Sequence, residues 1–201
     1  MNEQDLGGAL VRARDGDQYA FADLWWSLQP SLLRYLRVVV GDAAHDVASE
    51  TWLQAARDIR GFRGDADGFR VWLFRVARHR GLDELRRAGR RPADPLDSDD
   101  HPGTPDAAQE ALDRLDTDWA IAVIATLPKD QAEAVMLRVV AGLDVAQTAA
   151  VLGKRSGAVR IATMRGLRRL AEHVEVKARR RADVRTGGWS VVPESPRPEG
   201  V

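Results

Sequence analysis

The sequence predicts an all-α protein of two small helical domains joined by an acidic linker. Three observations carry that expectation. Apolar residues recur three and four apart along most of the chain; a proline-containing tract, residues 92–106 (PADPLDSDDHPGTPD), interrupts them; and the sign of the local charge changes on either side of it. The tract holds four prolines and too little apolar surface to fold, so it reads as a spacer.

The elements follow in order. Leu6, Leu10 and Ala13 share the face of an opening helix that Gly16 breaks. Asp17 is placed to N-cap a second helix with Phe21, Leu24, Trp25 and Leu28 on one side. Pro30 is expected to restart a helix, because proline suits a first turn; Leu32, Leu33, Leu36 and Val40 line it and Gly41 ends it. Asp42 offers a cap for the next helix, which carries Val47, Thr51, Trp52 and Ala55. Residues 60–68, RGFRGDADG, read as a loop. Residues 68–87, GFRVWLFRVARHRGLDELRR, read as a helix whose apolar side chains cannot all fit one buried face and are interrupted by arginines. Beyond the linker, Pro128 suits a first helical position and Gly142 a stop, with Val135, Leu137 and Val139 available for packing. Asp144 and Gln147 have capping-box spacing ahead of Val145, Ala149 and Leu152, and Gly153 closes that helix after about two turns. After a short KRS turn the last long helix opens at Gly157 or Ala158. The tail from Thr186, TGGWSVVPESPRPEGV, has the composition of a disordered segment, with Trp189, Val191 and Val192 as a small apolar stripe.

Composition narrows the function classes. Thirty basic and thirty acidic side chains cancel, so overall charge names no partner and only its distribution is informative. The absence of cysteine excludes disulfides and thiolate metal sites. The start, MNEQDLGGALVRARDGD, lacks the apolar core of a signal peptide, and the longest apolar run, around Val38–Val40, falls far short of the roughly 20 residues that span a bilayer. A soluble cytoplasmic protein is the expectation. Charge is strongly segregated: from Phe69 to Arg91 eight arginines face only Asp83 and Glu84, from Pro92 to Asp118 nine acids face only Arg114, and from Gly153 to Arg181 ten basic residues face Glu172 and Glu175. Two basic helical blocks flanking an acidic tether point to a polyanion partner. In the second block, a short helix, a glycine-containing turn and a longer helix with Arg155, Ser156 and Arg160 at its start form a helix-turn-helix pattern, whose second helix suits a major groove.

With those residues in view, most of the chain from 5 to 172 resembles the extracytoplasmic-function (ECF) group of sigma-70-type transcription initiation factors. The first half resembles that family's region 2, most specifically in HDVASETW, FRG and FRVWLFRVAR; LPKDQAEAVMLRVVAGLDVAQTAAVLGKRSGAVRIATMRGLRRL aligns without gaps to its region 4. The resemblance implies a region 2 domain over residues 1–91, a linker over 92–111, a region 4 domain over 112–181 and a tail over 182–201. It assigns Asp46, Ser49 and Glu50 to the clamp helices of the largest RNA polymerase subunit. It assigns Phe62, Arg63, Asp65, Arg70, Trp72, Arg75, Arg78, His79 and Arg86 to the minus-ten promoter element, with the Phe62–Asp65 loop capturing a flipped base. Arg155, Ser156, Arg160, Arg165 and Arg168 fall to the minus-thirty-five element. Core polymerase, promoter DNA and an anti-sigma factor, often membrane-bound, are the implied partners; no cofactor, metal or small-molecule substrate is implied. The last helix departs from the family pattern, with Arg155-Ser-Gly-Ala-Val159 in place of Ser-Glu-Gly-Thr-Val, and Ile161 and Ala162 where polar residues are common.

Two other readings stand beside it. One is a helix-turn-helix regulator that binds duplex DNA without polymerase. The other is a metal-dependent phosphohydrolase suggested by His45-Asp46, but the remaining histidines, His79, His101 and His173, are scattered over different segments, and converging ligands are what such a site requires.

Overall fold

The structure is a computed structural model and describes residues 3–89 and 117–185. Among them every regular element is helical. The first half contains α1 (Glu3–Arg14), α2 (Gln18–Val40), α3 (Ala44–Asp58) and α4 (Ala66–Ala88). The second contains α5 (117–125), α6 (Lys129–Val135), α7 (Val145–Leu152), α8 (Ser156–Glu172) and α9 (Val174–Arg185).

In the first half α2 is the central rod, packed against α1, α3 and α4. Asp17 caps it, its carboxylate accepting from the amides of Tyr19 and Ala20. Those contacts, the Ala20 amide first, lower the Asp17 pKa. Gly41 ends the rod at φ 62°. The expected restart at Pro30 does not occur. The helix runs through it, because Pro30 lies on the exposed side beside the solvent-facing Trp26, while Leu24, Leu28, Leu32 and Leu36 anchor the buried side on both flanks. Asp42 is not a cap either: it sits within a 3-10 turn, Gly41–Ala43, and α3 starts behind Ala43 without a side-chain cap. The loop expected over residues 60–68 shrinks to 62–65, since Ile59–Gly61 is a 3-10 turn and Asp65 caps α4, accepting from the Gly68 amide at 2.8 Å. Phe69, Leu73, Phe74, Val76, Ala77 and Gly81 of α4 are buried.

In the second half α6 passes directly into a π-helical turn, Met136–Val140, in which the Ala141 amide donates to the Met136 carbonyl at 2.9 Å. That wider turn shifts the phase of the helix. Val135 and Leu137 are buried as expected, but Val139 is turned out to solvent and Ala141 takes the inward position. The Asp144–Gln147 capping box is complete and Gly153 closes α7 at φ 64°. The last long helix begins earlier than expected, at Ser156. Gly166 lets α8 approach α6: a Cβ there would lie 2.8 Å from Val135 Cγ2.

The two halves are packed together. Buried residues from Leu6 to Val159 form one continuous core, α4 packs on α7, and α2 on α6. At the exposed edge of the seam Arg37 pairs with Asp118 at 2.8 Å. The linker, Trp189, Val191, Val192 and His101 lie outside the described residues.

Candidate nucleic-acid interface

Three surfaces carry the residues singled out by the sequence. The first is the outer face of α3. Asp46, Ser49 and Glu50 are all exposed there, spaced so that they form a single stripe. Ser49 donates to the His45 carbonyl at 2.9 Å, and Glu50 pairs with Arg80 of α4 at 3.2 Å, while Gln54 accepts from the same guanidinium. One turn on, the same stripe ends in Leu53, which is 57% exposed. Sequence reasoning missed Leu53, Gln54 and Arg80. Leu53 was visible as an apolar residue at the seven-residue step from Asp46, opposite the buried Thr51 and Trp52; Arg80 comes from another helix and leaves no local signal.

The second surface joins the 62–65 loop to α4. Phe62, Phe69 and Trp72 form an aromatic cluster with ring centroids 5.5–5.7 Å apart. Phe69 is its buried base, and Phe62 and Trp72 are half-buried. The Arg14 guanidinium lies over the Phe62 ring, 5.4 Å from its centroid, and donates to the Gly64 carbonyl, tying α1 to the loop. An open hollow of about 420 Å³ lies against Phe62 and Trp72, bounded also by Arg57, Asp58 and Gly61. Arg63 is exposed and donates to the carbonyls of Arg60 and Phe62. Asp65 is occupied as the cap of α4.

The arginines of α4 divide between two faces. Arg75, His79 and Arg86 are exposed on one stripe adjoining Trp72, with Arg86 paired to Asp83 at 2.8 Å. Arg70 and Arg78 point instead into the seam. Arg70 donates to the Ala141 carbonyl, and Arg78 Nε lies 2.6 Å from Glu133, whose side chain is only 3% exposed. Tyr35, fully buried on α2, faces the same carboxylate at 3.5 Å. Burial first, and the Glu133 charge second, push the Tyr35 phenol well above its ordinary value of 10. Glu133 and Tyr35 are not singled out by the sequence, since an internal partner this far along the chain has no local mark.

The third surface is the outward side of α8. Val159 and Gly166 are its buried residues, so Arg155, Arg160, Arg165 and Arg168 are exposed and Ser156 half-buried. Arg168 pairs with Glu172 at 3.2 Å. Interleaved with the arginines are Ile161, Met164 and Leu167, all exposed. Helical geometry puts Arg160, Ile161, Met164 and Arg168 on a common side and Arg165 at its margin.

Among the described residues no group of three or more histidine, cysteine or acidic side chains is arranged to hold a metal, and no helix is long and apolar enough to cross a membrane. His45 and Asp46 therefore stand without converging ligands there.

Comparison with known proteins agrees with the order of these surfaces. The family model for Sigma-70 region 2 matches residues 24–91, and that for Sigma-70, region 4 matches residues 117–170. The chain is 36% identical over 182 residues to the ECF RNA polymerase sigma factor ShbA of Streptomyces griseus, covering 84% of this chain and 95% of that one. It is 31% identical to the ECF RNA polymerase sigma factor SigD of Mycobacterium tuberculosis, covering 87% and 86%. Two solved structures share the fold: CnrH in complex with the cytosolic domain of CnrY (TM-score 0.59, 23% identity, 84% and 96% covered), and the sigma factor RpoE with the anti-sigma factor NepR from Bartonella quintana (TM-score 0.57, 21% identity, 76% and 94% covered).

Proposed function

The chain belongs to the ECF group of sigma-70 factors, and from that premise we propose how its surfaces divide the work of directing RNA polymerase to promoters. Membership of that family decides against a regulator acting on duplex DNA alone. We assign residues 1–91 to polymerase and minus-ten binding, 92–111 to the linker, 112–181 to minus-thirty-five binding and 182–201 to a tail.

The outer face of α3 meets the clamp helices of the largest polymerase subunit. Asp46 and Glu50 offer charge, Ser49 a hydroxyl and Leu53 an apolar anchor, a mixture suited to an interface with a desolvated centre and a polar rim. The minus-ten element lies along α4. Arg75 and Arg86 neutralise phosphates and His79 lies between them on the same stripe, while Trp72 and Phe62 present aromatic faces for an unstacked base beside the open hollow. Stacking is worth roughly 1–3 kcal/mol per base, comparable to the cost of extruding one, so binding energy alone can favour melting. Arg63 reaches the backbone at the loop, and Asp65 keeps that loop in place by capping α4. Arg155, Ser156 and Arg160 enter the major groove at the start of α8, with Arg165 and Arg168 on the flanking phosphates. This assignment gives the chain no bond-making step and no cofactor. Its place of action is the cytoplasm, where an anti-sigma factor holds it at the membrane or in solution until released.

The observation that carries the proposal is the exposed Arg75–His79–Arg86 stripe of α4 running beside the hollow between Trp72 and the Phe62 loop. Run-off transcription with core polymerase on genomic fragments tests it: new start sites appear only with this chain, and Arg75→Ala or Trp72→Ala reduces them. A Glu50→Arg variant lowers core affinity roughly tenfold, equivalent to about 1.4 kcal/mol, while circular dichroism is unchanged. Unaltered core affinity in that variant removes α3 from the interface.

A further inference from the structure

We propose that Ile161 and Met164 of α8 read thymine methyl groups, so that the minus-thirty-five element of this chain contains two adjacent A·T pairs recognised through their apolar edge. This rests on the assignment of α8 to that element and names what its groove-facing side chains recognise. Val159 and Gly166 mark the buried side of α8. Ile161 lies two residues beyond Val159 and Met164 two residues before Gly166. A step of two residues turns a helix by about 200°, so both side chains stand opposite the core, 49% and 63% exposed. Gly157 continues the same line toward the N-terminus, and a Cβ there would meet no atom of the described residues within 4 Å. Leu167 is not on this line: it lies toward Leu170, which packs with Leu127, Ala132 and Val135.

An apolar strip in open water invites two kinds of cover, another protein or a base-pair edge, and the charges beside it decide. From Gly153 to Ala171 the chain carries Lys154, Arg155, Arg160, Arg165, Arg168 and Arg169 and no acid. Arg160 and Arg165 fall on opposite margins of the strip, where the two phosphate backbones of a major groove run. With the helix so seated, the strip faces the groove floor. The one apolar group that base pairs display there is the C5 methyl of thymine. Other edge positions offer donors or acceptors, which an isoleucine or methionine would strip of water and leave unpaired. The two side chains therefore favour A·T pairs by contact and reject G·C pairs by desolvation. Three residues advance a helix by about 4.5 Å, against roughly 3.4 Å between successive base pairs. Ile161 and Met164 thus reach neighbouring steps.

The test uses the full chain bound to core polymerase and a duplex carrying the upstream element of a promoter mapped by run-off transcription. Thymines of the element are replaced one at a time by deoxyuridine, which lacks only the methyl. With the unsubstituted chain, uridine at two adjacent base pairs should each lower affinity roughly fourfold, the worth of one buried methyl, and uridine elsewhere should change nothing. Ile161→Ala should lose a similar factor on the thymine duplex and become indifferent to uridine at one of those positions, and Met164→Ala at the other. Both variants should keep the salt dependence of binding, because no counterion is released by a methyl contact, whereas Arg160→Ala should reduce the slope of log affinity against log salt by about 1. The uridine scan needs no variant and stands even where one fails to fold. Affinity that is indifferent to every uridine overturns the thymine readout, as does a uridine effect that persists unchanged in both alanine variants. Weaker binding of Ile161→Ala to core polymerase without DNA would make the strip a protein-docking face and overturn it too. Randomising the whole element separates the two claims: unchanged binding removes the minus-thirty-five assignment itself, while element-dependent binding without a uridine effect removes the methyl contacts alone.

Discussion

Tyr35 condenses the residue-scale logic of the seam into a single phenol. Its neutral form is the one the buried site accepts, because burial disfavours the phenolate and ionisation would place a second negative charge beside Glu133. The folded-state pKa is raised above the unfolded value of 10, so the associated stability is fully present below pH 10 and is lost as pH climbs beyond it. Urea unfolding measured from pH 8 to 11 should show the parent protein losing stability at the alkaline end and Tyr35→Phe losing less. A parallel decline in both proteins would mean the phenol ionises freely. Arg78 illustrates the limits of one-dimensional reading at this scale. Its charge and its place on a basic helix are visible in the sequence, but whether it meets solvent or a carboxylate 55 positions away depends on a tertiary contact that no nearby residue announces.

At the scale of elements, local chemistry predicted what local chemistry decides. The Asp17 cap, the Asp144–Gln147 box and the left-handed Gly153 each involve groups a few residues apart, and each is found where spacing placed it. Pro30, Asp42 and Val139 failed for complementary reasons. Packing on both flanks carried α2 through a proline, a 3-10 turn filled the place where a cap was expected, and a π-helical turn changed the period that had put Val139 inward. Gly166 gives the sharpest test of packing against propensity. Alanine is the better helix former by about 1 kcal/mol, yet its methyl would sit 2.8 Å from the branched side chain of buried Val135 and 3.4 Å from Gln131 backbone. Gly166→Ala should therefore destabilise the protein by about 1–3 kcal/mol in urea unfolding, the cost of overpacking. A gain in stability would show that α6 and α8 have room to part.

For the whole molecule, the segregation of charge was legible from end to end, and with it the nature of the partner. The division of labour within α4 was not, since Arg70, Arg75, Arg78, His79 and Arg86 look alike in sequence and are sorted only by what packs on each side of the helix. The exposed set makes a quantitative forecast. DNA affinity should fall steeply with salt, and Arg75→Ala should reduce the slope of log affinity against log salt by about 1, the release of one counterion. An unchanged slope would place Arg75 off the phosphate track.

The turn at Met136–Val140 accommodates one residue more than regular winding would use over the same rise. Val139, extruded into solvent, is in effect a spare link. Excising it allows the ladder to close at four-residue steps without swinging Leu143 or the start of α7, whereas shortening α7 or α8 by one residue rotates everything beyond the cut by about 100°. Deletion scanning from Lys129 to Glu172, read by soluble yield and melting temperature, should find a permissive position there and losses within α7 and α8.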